Sequence, residues 1–161
     1  MLFTILLLSI KPKYAKQIFE TKTKKVELRR VRTRLKEGDI VLVYVSSPAK
    51  VFLGSFEVED VIEREVSRKE LKNFWNKFQD SVGITKQEFN SYYEGASVIV
   101  GIQIKNISLF ENPVELERLQ EKLSYLRPPQ SYRYLEEKEY EIIKALGEAQ
   151  TAIMTDQENL E

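Results

Sequence analysis

The apolar positions of this chain fall largely into alternating or unbroken segments, a pattern that predicts β-strands. Strands are expected over about residues 2–9 and 51–62, and alternation returns over about 97–107. The uninterrupted apolar segment Ile40–Val45 is typical of a strand at the centre of a sheet. Gly54 lies inside a predicted strand, where glycine marks a bulge or a close approach of two backbones.

The segment KKVELRR predicts a shorter strand with one apolar and one charged face. Its apolar residues Val26 and Leu28 alternate with the charged Lys25, Glu27 and Arg29, so the two sets are expected on opposite sides. On this pattern, Glu27 lies between Lys25 and Arg29 on the charged face.

Helical periodicity replaces alternation between residues 67 and 95, which predicts an inserted helical segment. Its aromatic stripes at helical spacing are expected to pack in the core: Leu71, Phe74, Trp75 and Phe78, then Phe89, Tyr92 and Tyr93. Further helices are expected after Pro12 and over about 136–146. The chain then becomes polar, acidic and aperiodic, which predicts a domain at 1–147 and a flexible acidic tail at 148–161.

Strands on both sides of an inserted helical segment indicate an α+β domain built on a small mixed β-barrel. The 161 residues include no Cys and no His, which excludes disulfides, thiol nucleophiles, imidazole bases and the usual zinc ligands. A glycine-rich phosphate loop is also missing from the sequence. We therefore expect no metal and no cofactor. The opening MLFTILLLSI is too short to cross a bilayer, so no membrane association and a cytoplasmic location are expected.

The charges are unevenly distributed although the formal net charge is zero. Residues 11–36 contain 11 Lys and Arg against two acids, while the remainder contains 14 basic and 23 acidic residues. Such asymmetry is expected of an anion-binding face. Arginine predominates from Arg29 to Arg34, and its guanidinium group binds phosphate in a bidentate manner. Stacking faces for bases are offered by Tyr14, Tyr44, Tyr132 and Tyr134. The alternative is that these basic residues form a solvated surface that only keeps the protein soluble.

Glu27 is the single acid between Lys22 and Lys36. Cations on either side are expected to depress the pKa of Glu27 and keep it ionised, so that it accepts hydrogen bonds. It would serve as an ion pair that holds arginine side chains, as a contact to the ligand, or as both.

Four segments of the sequence carry a resemblance to a known family, with most of the match in residues 5–62. They are SIKPKYAKQIF, KKVELR, EGDIVLVYVSSP and GSFEVEDVI. With them the chain resembles the ASCH group of PUA-like domains. The resemblance implies a mixed β-barrel with helices flanking a cleft that binds RNA or nucleotides. By position, Lys24, Glu27 and Arg29 would line that cleft, with Ser46 and Ser47 at the end of the facing strand.

Relatives of two further kinds imply other roles. Longer relatives with a segment similar to PPQSYRYL are described as predicted transcriptional regulators, which implies a regulatory role in transcription or translation. Some small relatives are amidohydrolases of acetylated cytidine that use a Lys, a Thr and a Glu. Lys24 matches their Lys, but Glu27 stands at the position of their Thr. A third possibility is a protein-interaction module, in which the acidic part of the chain outside residues 11–36 and the tail bind a basic partner.

The sequence thus favours a binding module over an enzyme, with nucleic acid, and RNA in particular, as its partner. The candidate nucleic-acid-binding residues are Lys11, Lys24, Lys25, Glu27, Arg29, Arg30, Arg32, Arg34, Ser46 and Ser47. Lys24 is the candidate catalytic residue if the protein is a hydrolase.

Overall fold

The computed structural model of the protein describes residues 3–148 with their side chains and residues 149–160 as backbone. Within this described part, the strands are β1 (Ile5–Ile10), β2 (Val26–Arg29), β3 (Ile40–Val45), β4 (Val51–Glu65), β5 (Val98–Glu115) and β6 (Tyr132–Tyr134). The helices are α1 (Pro12–Phe19), α2 (Arg68–Phe78), α3 (Lys86–Tyr92), α4 (Leu116–Gln120) and α5 (Glu137–Leu160).

Hydrogen bonds join the described strands into one mixed sheet in the order β2-β5-β4-β3-β1-β6. β1 pairs in parallel with β3 and antiparallel with β6, and β2 pairs antiparallel with β5. The strand predicted at Ile40–Val45 is confirmed, because β3 covers these residues, lies inside the sheet and is buried from Val41 onwards. A mixed sheet with helices between its strands confirms the predicted α+β class.

The chain divides into two compact units. The first unit comprises residues 1–12, 40–56 and 107–161, and the second comprises residues 13–39 and 57–106. β4 and β5 contribute residues to both units. The domain predicted at 1–147 and the flexible tail at 148–161 stay predictions, and nearly all of that tail lies outside the residues described with side chains.

The core of the first unit forms around the parallel pair of β1 and β3. Leu7 lies opposite Leu42 in the register of the two strands, and both side chains are fully buried. Leu119 of α4 and Ile143 of α5 join the same core. The sequence did not predict α4, because five residues are too few to display a helical period.

Gly54 lies where the backbone of another segment of the first unit comes close, as the sequence predicted. A Cβ atom at this position would overlap the carbonyl oxygen of Ser108 and would lie 2.9 Å from the Cα of Leu109. A side chain here would therefore force the backbone apart, so glycine is required by space.

Aromatic rings from α2 and α3 build the core of the second unit, as their helical spacing predicted. The rings of Phe74 and Phe89 stack with centroids 5.8 Å apart, and Phe89 meets Tyr93 edge-on at 5.1 Å. The side chains of Ser67 and Thr85 cap the N-termini of α2 and α3. The inserted helical segment thus begins and ends close to its predicted bounds.

Replacing Gly54 tests the close approach in the first unit. Gly54→Ala is expected to lower the free energy of unfolding by about 2 kcal/mol, because the new methyl group must displace backbone atoms. Denaturant titration followed by circular dichroism measures the loss. Ser55→Ala, on the adjacent half-buried position, is the matched control and should change stability by less than about 0.5 kcal/mol. Equal stabilities for the two variants would contradict the close approach.

Candidate functional site

Three charged side chains at β2 form a buried chain of ion pairs in the second unit. The Glu27 carboxylate lies 3.5 Å from Lys24 Nζ through Oε1, and it accepts a hydrogen bond from Arg29 Nη2 at 3.1 Å through Oε2. Lys24 is only 3% exposed and Glu27 only 6%. Lys24 Nζ also donates to the carbonyl oxygen of Val82 at 2.7 Å. We call Lys24, Glu27 and Arg29 the buried triad.

The buried triad corrects one detail of the sequence interpretation. Arg29 does pair with Glu27, but the second cation is Lys24, whereas Lys25 is exposed. β2 begins at Val26, so Lys25 lies before the strand. The alternation of side chains along a strand therefore does not determine the direction of the Lys25 side chain.

The residues around Lys24 explain how a lysine fits inside the second unit. Gly83 has a φ of +72°, and a Cβ there would overlap the Gln17 side chain and approach Lys24 Cδ to 3.4 Å. The ring of Tyr14, on α1, lies with its centroid 5.4 Å from Lys24 Nζ. A backbone carbonyl, a carboxylate and an aromatic face therefore surround the ammonium group, and each interacts favourably with a positive charge.

Burial and charge act in opposite directions on the buried triad. Burial alone would raise the pKa of Glu27, but the charges of Lys24 and Arg29 outweigh it and hold that pKa below the ordinary glutamate value, as the sequence predicted. Burial lowers the pKa of Lys24 in spite of the attraction of Glu27. With all three groups ionised, the triad carries one positive charge in excess, which favours a nearby anion.

Two tyrosines at the end of α3 hold the end of β2. Tyr92 Oη donates to the carbonyl oxygen of Leu28 at 3.2 Å, and Tyr93 Oη donates to that of Arg29 at 3.0 Å. Burial raises the pKa of both hydroxyls, so both stay protonated and able to donate. The sequence placed these tyrosines in the core, which is correct for their rings. Their role as donors was missed, because no sequence pattern identifies the carbonyl that a hydroxyl will meet.

The arginines that follow β2 lie on an exposed segment of the second unit. Arg30, Arg32 and Arg34 are all exposed. Arg30 Nη2 donates to the carbonyl oxygen of Glu94 at 3.1 Å, and Arg32 Nε lies 3.3 Å from Glu63 Oε2. The exposed ion pair of Arg32 contributes little to stability. We call residues 30–34 the arginine loop.

The remaining candidate residues belong to the first unit. Lys11 is exposed and directly follows β1. The backbone N–H of Ser46 donates to the carbonyl oxygen of Ile10 at 3.0 Å, and Ser47 precedes Pro48 through a cis peptide bond. The sequence predicts Tyr44 as a stacking face, but its ring is buried against Phe52, at a centroid distance of 5.0 Å. That part of the interpretation is wrong, since a core ring cannot receive a base.

The part of the chain that the structure describes offers neither a cluster of metal ligands nor a helix suited to a bilayer. No group of three or more Asp and Glu side chains in that part is arranged to hold a metal ion. None of the helices described there is long and apolar enough to span a membrane.

Solved structures define the class of fold. The ASCH protein of Zymomonas mobilis superimposes with a TM-score of 0.78, at 22% identity, covering 88% of this chain and 94% of that protein. Human THYN1, solved in complex with DNA containing 5-methylcytosine, gives 0.53 at 12% identity over 90% and 98% of the chains. The N-terminal domain of McrB from Staphylothermus marinus gives 0.56 at 13% identity over 89% and 94%. These likenesses confirm the predicted ASCH-type, PUA-like fold.

Sequence comparison assigns the family. The domain of unknown function DUF365 matches residues 5–123, so the chain belongs to this family. The curated relatives include the large ribosomal subunit protein uL22 of two strains of Ureaplasma parvum serovar 3, each 28% identical over 130 residues. That match covers 81% of this chain but only 39% of the relatives, so the chain spans about two fifths of their length.

Glu27→Gln tests the buried triad. The variant keeps the shape of the side chain but removes the negative charge that pairs with the buried Lys24 and the half-buried Arg29, so it is expected to lose about 3 kcal/mol of unfolding free energy at neutral pH. Because the folded pKa of Glu27 is depressed, its contribution is present above the ordinary value of 4.5 and is lost as the pH falls through the folded pKa. Denaturation at a series of pH values should therefore show the variant and the wild type converging in acid.

Two further variants control this experiment. Glu59→Gln removes an exposed carboxylate from β4 in the same unit and should cost less than about 0.5 kcal/mol. Lys24→Met added to Glu27→Gln should recover part of the lost stability, since it removes one uncompensated charge. If the loss of unfolding free energy in the double variant equalled the sum of the losses in the two single variants, the two groups would not interact.

Proposed function

We propose that this protein is a nucleic-acid-binding module that binds the sugar–phosphate backbone of RNA at Arg29 of the buried triad and along the arginine loop of its second unit. The observation that carries the proposal is the geometry of Arg29. It lies at the junction of the two features, paired with the buried Glu27 and followed by the exposed Arg30. The Arg29 side chain is 15% exposed, so it borders on solvent while its Nη2 is held by Glu27.

A fixed arginine is well suited to phosphate binding. The hydrogen bond to Glu27 holds Arg29 in one orientation, so little conformational freedom is lost when an anion binds. The excess positive charge of the buried triad strengthens the attraction. The exposed Arg30, Arg32 and Arg34 then extend the positive charge along the chain, where several phosphates can be contacted in succession. In this proposal Glu27 is a positioning residue and Arg29 is a binding residue.

Single-stranded RNA fits this surface better than a duplex. The charge follows a strand end and a loop, and side chains on such elements bind unstacked nucleotides. Tyr14 is half-buried beside Lys24 and has a ring on which a base can stack. THYN1, which shares the fold, was solved with DNA, and the curated relatives are named as ribosomal proteins. Both names support nucleic acid as the partner, and the second supports RNA. The regulatory role and the cytoplasmic location expected from the sequence remain predictions.

The arginine loop can be tested without touching the buried triad. Replacing Arg30, Arg32 and Arg34 with Ala is expected to weaken binding to a single-stranded RNA by at least about tenfold, and to reduce the log-log salt slope by roughly 0.7 for each phosphate that the protein no longer neutralises. Fluorescence anisotropy at several salt concentrations measures both quantities. Thermal unfolding should be nearly unchanged, because the three side chains are exposed.

The matched control removes three exposed positive charges from α2 of the same unit, at Lys69, Lys72 and Lys77. This variant has the same net charge as the arginine-loop variant, so it separates a specific surface from a general attraction. Equal losses of affinity in the two variants would leave only non-specific attraction, and a larger loss in the α2 variant would place the RNA on that helix.

Hydrolysis of an acetylated nucleoside is a second candidate function, favoured by one observation. Burial lowers the pKa of Lys24, which is the direction of shift that favours a lysine acting as a base. Incubation with acetylated cytidine, followed by chromatography, tests this function. Deacetylation that is lost in Lys24→Met but kept in the arginine-loop variant would establish it. A wild-type protein that releases no acetate would remove it and leave the binding function alone.

A further inference from the structure

Val31 is the most exposed large apolar side chain among the residues described with side chains. It is 61% exposed, against 57% for Tyr125, 53% for Leu109 and 40% for Phe3. Single exposed apolar residues are common on protein surfaces, so exposure alone assigns no role to Val31. Its surroundings distinguish it.

The arginines on both sides of Val31 are tied to other segments of the second unit. Arg30 is held by the carbonyl oxygen of Glu94, and Arg32 is paired with Glu63. The residue before them is held as well, since Tyr93 binds the carbonyl oxygen of Arg29. The backbone is therefore held directly before the arginine loop, and the side chain of Val31 stays exposed between two arginine side chains that contact other segments of the unit.

The side chain of Val31 has the right chemistry to enter a stack of bases. Valine is branched at Cβ and populates few rotamers, so it loses little entropy when it is inserted. A base presents an apolar face that a methyl group can cover, and proteins that separate stacked bases use apolar side chains for this purpose. Arginine donors on each side would hold the phosphates that flank the separated bases.

We propose that Val31 is an apolar wedge that inserts between adjacent bases of the bound RNA, an inference that rests on the proposed function. The wedge assigns a class of ligand: RNA in which neighbouring bases separate at low cost, as in a single strand, a bulge or a loop. A fully paired duplex is a poor ligand, because separating its bases also strains the pairing. Contact with phosphate would then supply affinity, and Val31 would supply the preference for unpaired structure.

The experiment uses the full chain and an RNA hairpin with a bulge, in which 2-aminopurine stands beside the bulged base. The fluorescence of 2-aminopurine rises when its stacking is broken, so it reports insertion separately from binding. The wild type is expected to bind the hairpin and raise this fluorescence. Val31→Ser is expected to abolish the rise and to weaken binding about tenfold, because the apolar surface that it buries against the bases is removed, with an unchanged salt slope.

Two variants serve as controls. Val31→Ile keeps a branched apolar side chain and should retain both the fluorescence rise and the affinity. Leu109→Ser removes an apolar side chain of comparable exposure from the first unit and should change neither.

The outcomes separate the wedge from the proposed function. The wedge is wrong if Val31→Ser matches the wild type in affinity and in fluorescence. The binding function still stands in that case if the wild type binds RNA and the arginine-loop variant shows a smaller salt slope. If the wild type shows no salt-dependent binding to the hairpin or to single-stranded RNA, both fail. Equal affinity of the wild type for the bulged hairpin and for a fully paired duplex would also overturn the wedge.

Discussion

The buried carboxylate of Glu27 is the interaction on which the candidate site depends. A lysine and an arginine cannot both remain charged in a protein interior without a counter-charge, because burial penalises each ion by several kcal/mol. Glu27 contacts both of them, so a single acid permits two cations. This arrangement also ties the start of β2 to another segment of the second unit, because Lys24 Nζ, which pairs with Glu27, donates to the carbonyl oxygen of Val82. Lys24 therefore contributes both to the charge of the site and to the attachment of the strand.

The inserted helices have a comparable double role in the second unit. The rings of Phe74, Phe89 and Tyr93 supply the apolar core, which stabilises the unit by burial. The hydroxyl groups at the end of α3 supply donors to carbonyl oxygens at the end of β2, where regular strand pairing stops. Carbonyl groups that are shielded from water and lack partners are costly, so these hydroxyl groups stabilise the end of β2. The arginine loop consequently begins from a fixed point.

The sequence predicted those features that depend on local periodicity or local charge. The central strand Ile40–Val45 followed from an unbroken apolar segment, and the aromatic core followed from helical spacing. The depressed pKa of Glu27 followed from the density of nearby cations. The choice of Lys24 over Lys25 did not follow, because it depends on how the chain enters β2 and on space beside Gly83, which is far away in sequence. The partners of the tyrosine hydroxyls are equally non-local. Periodicity identifies which face is buried, but not which polar atoms meet there.

Arg29 connects the scaffold of the second unit to its surface. Lys24 and Glu27 are almost fully enclosed, so Arg29 is the member of the buried triad through which solvent or a ligand is reached. An anion beside Arg29 would offset the excess positive charge of the triad. Binding of an anion would therefore stabilise the folded second unit by mass action. The same ion pairs that make this unit costly to assemble thus make its stability respond to the ligand that we propose.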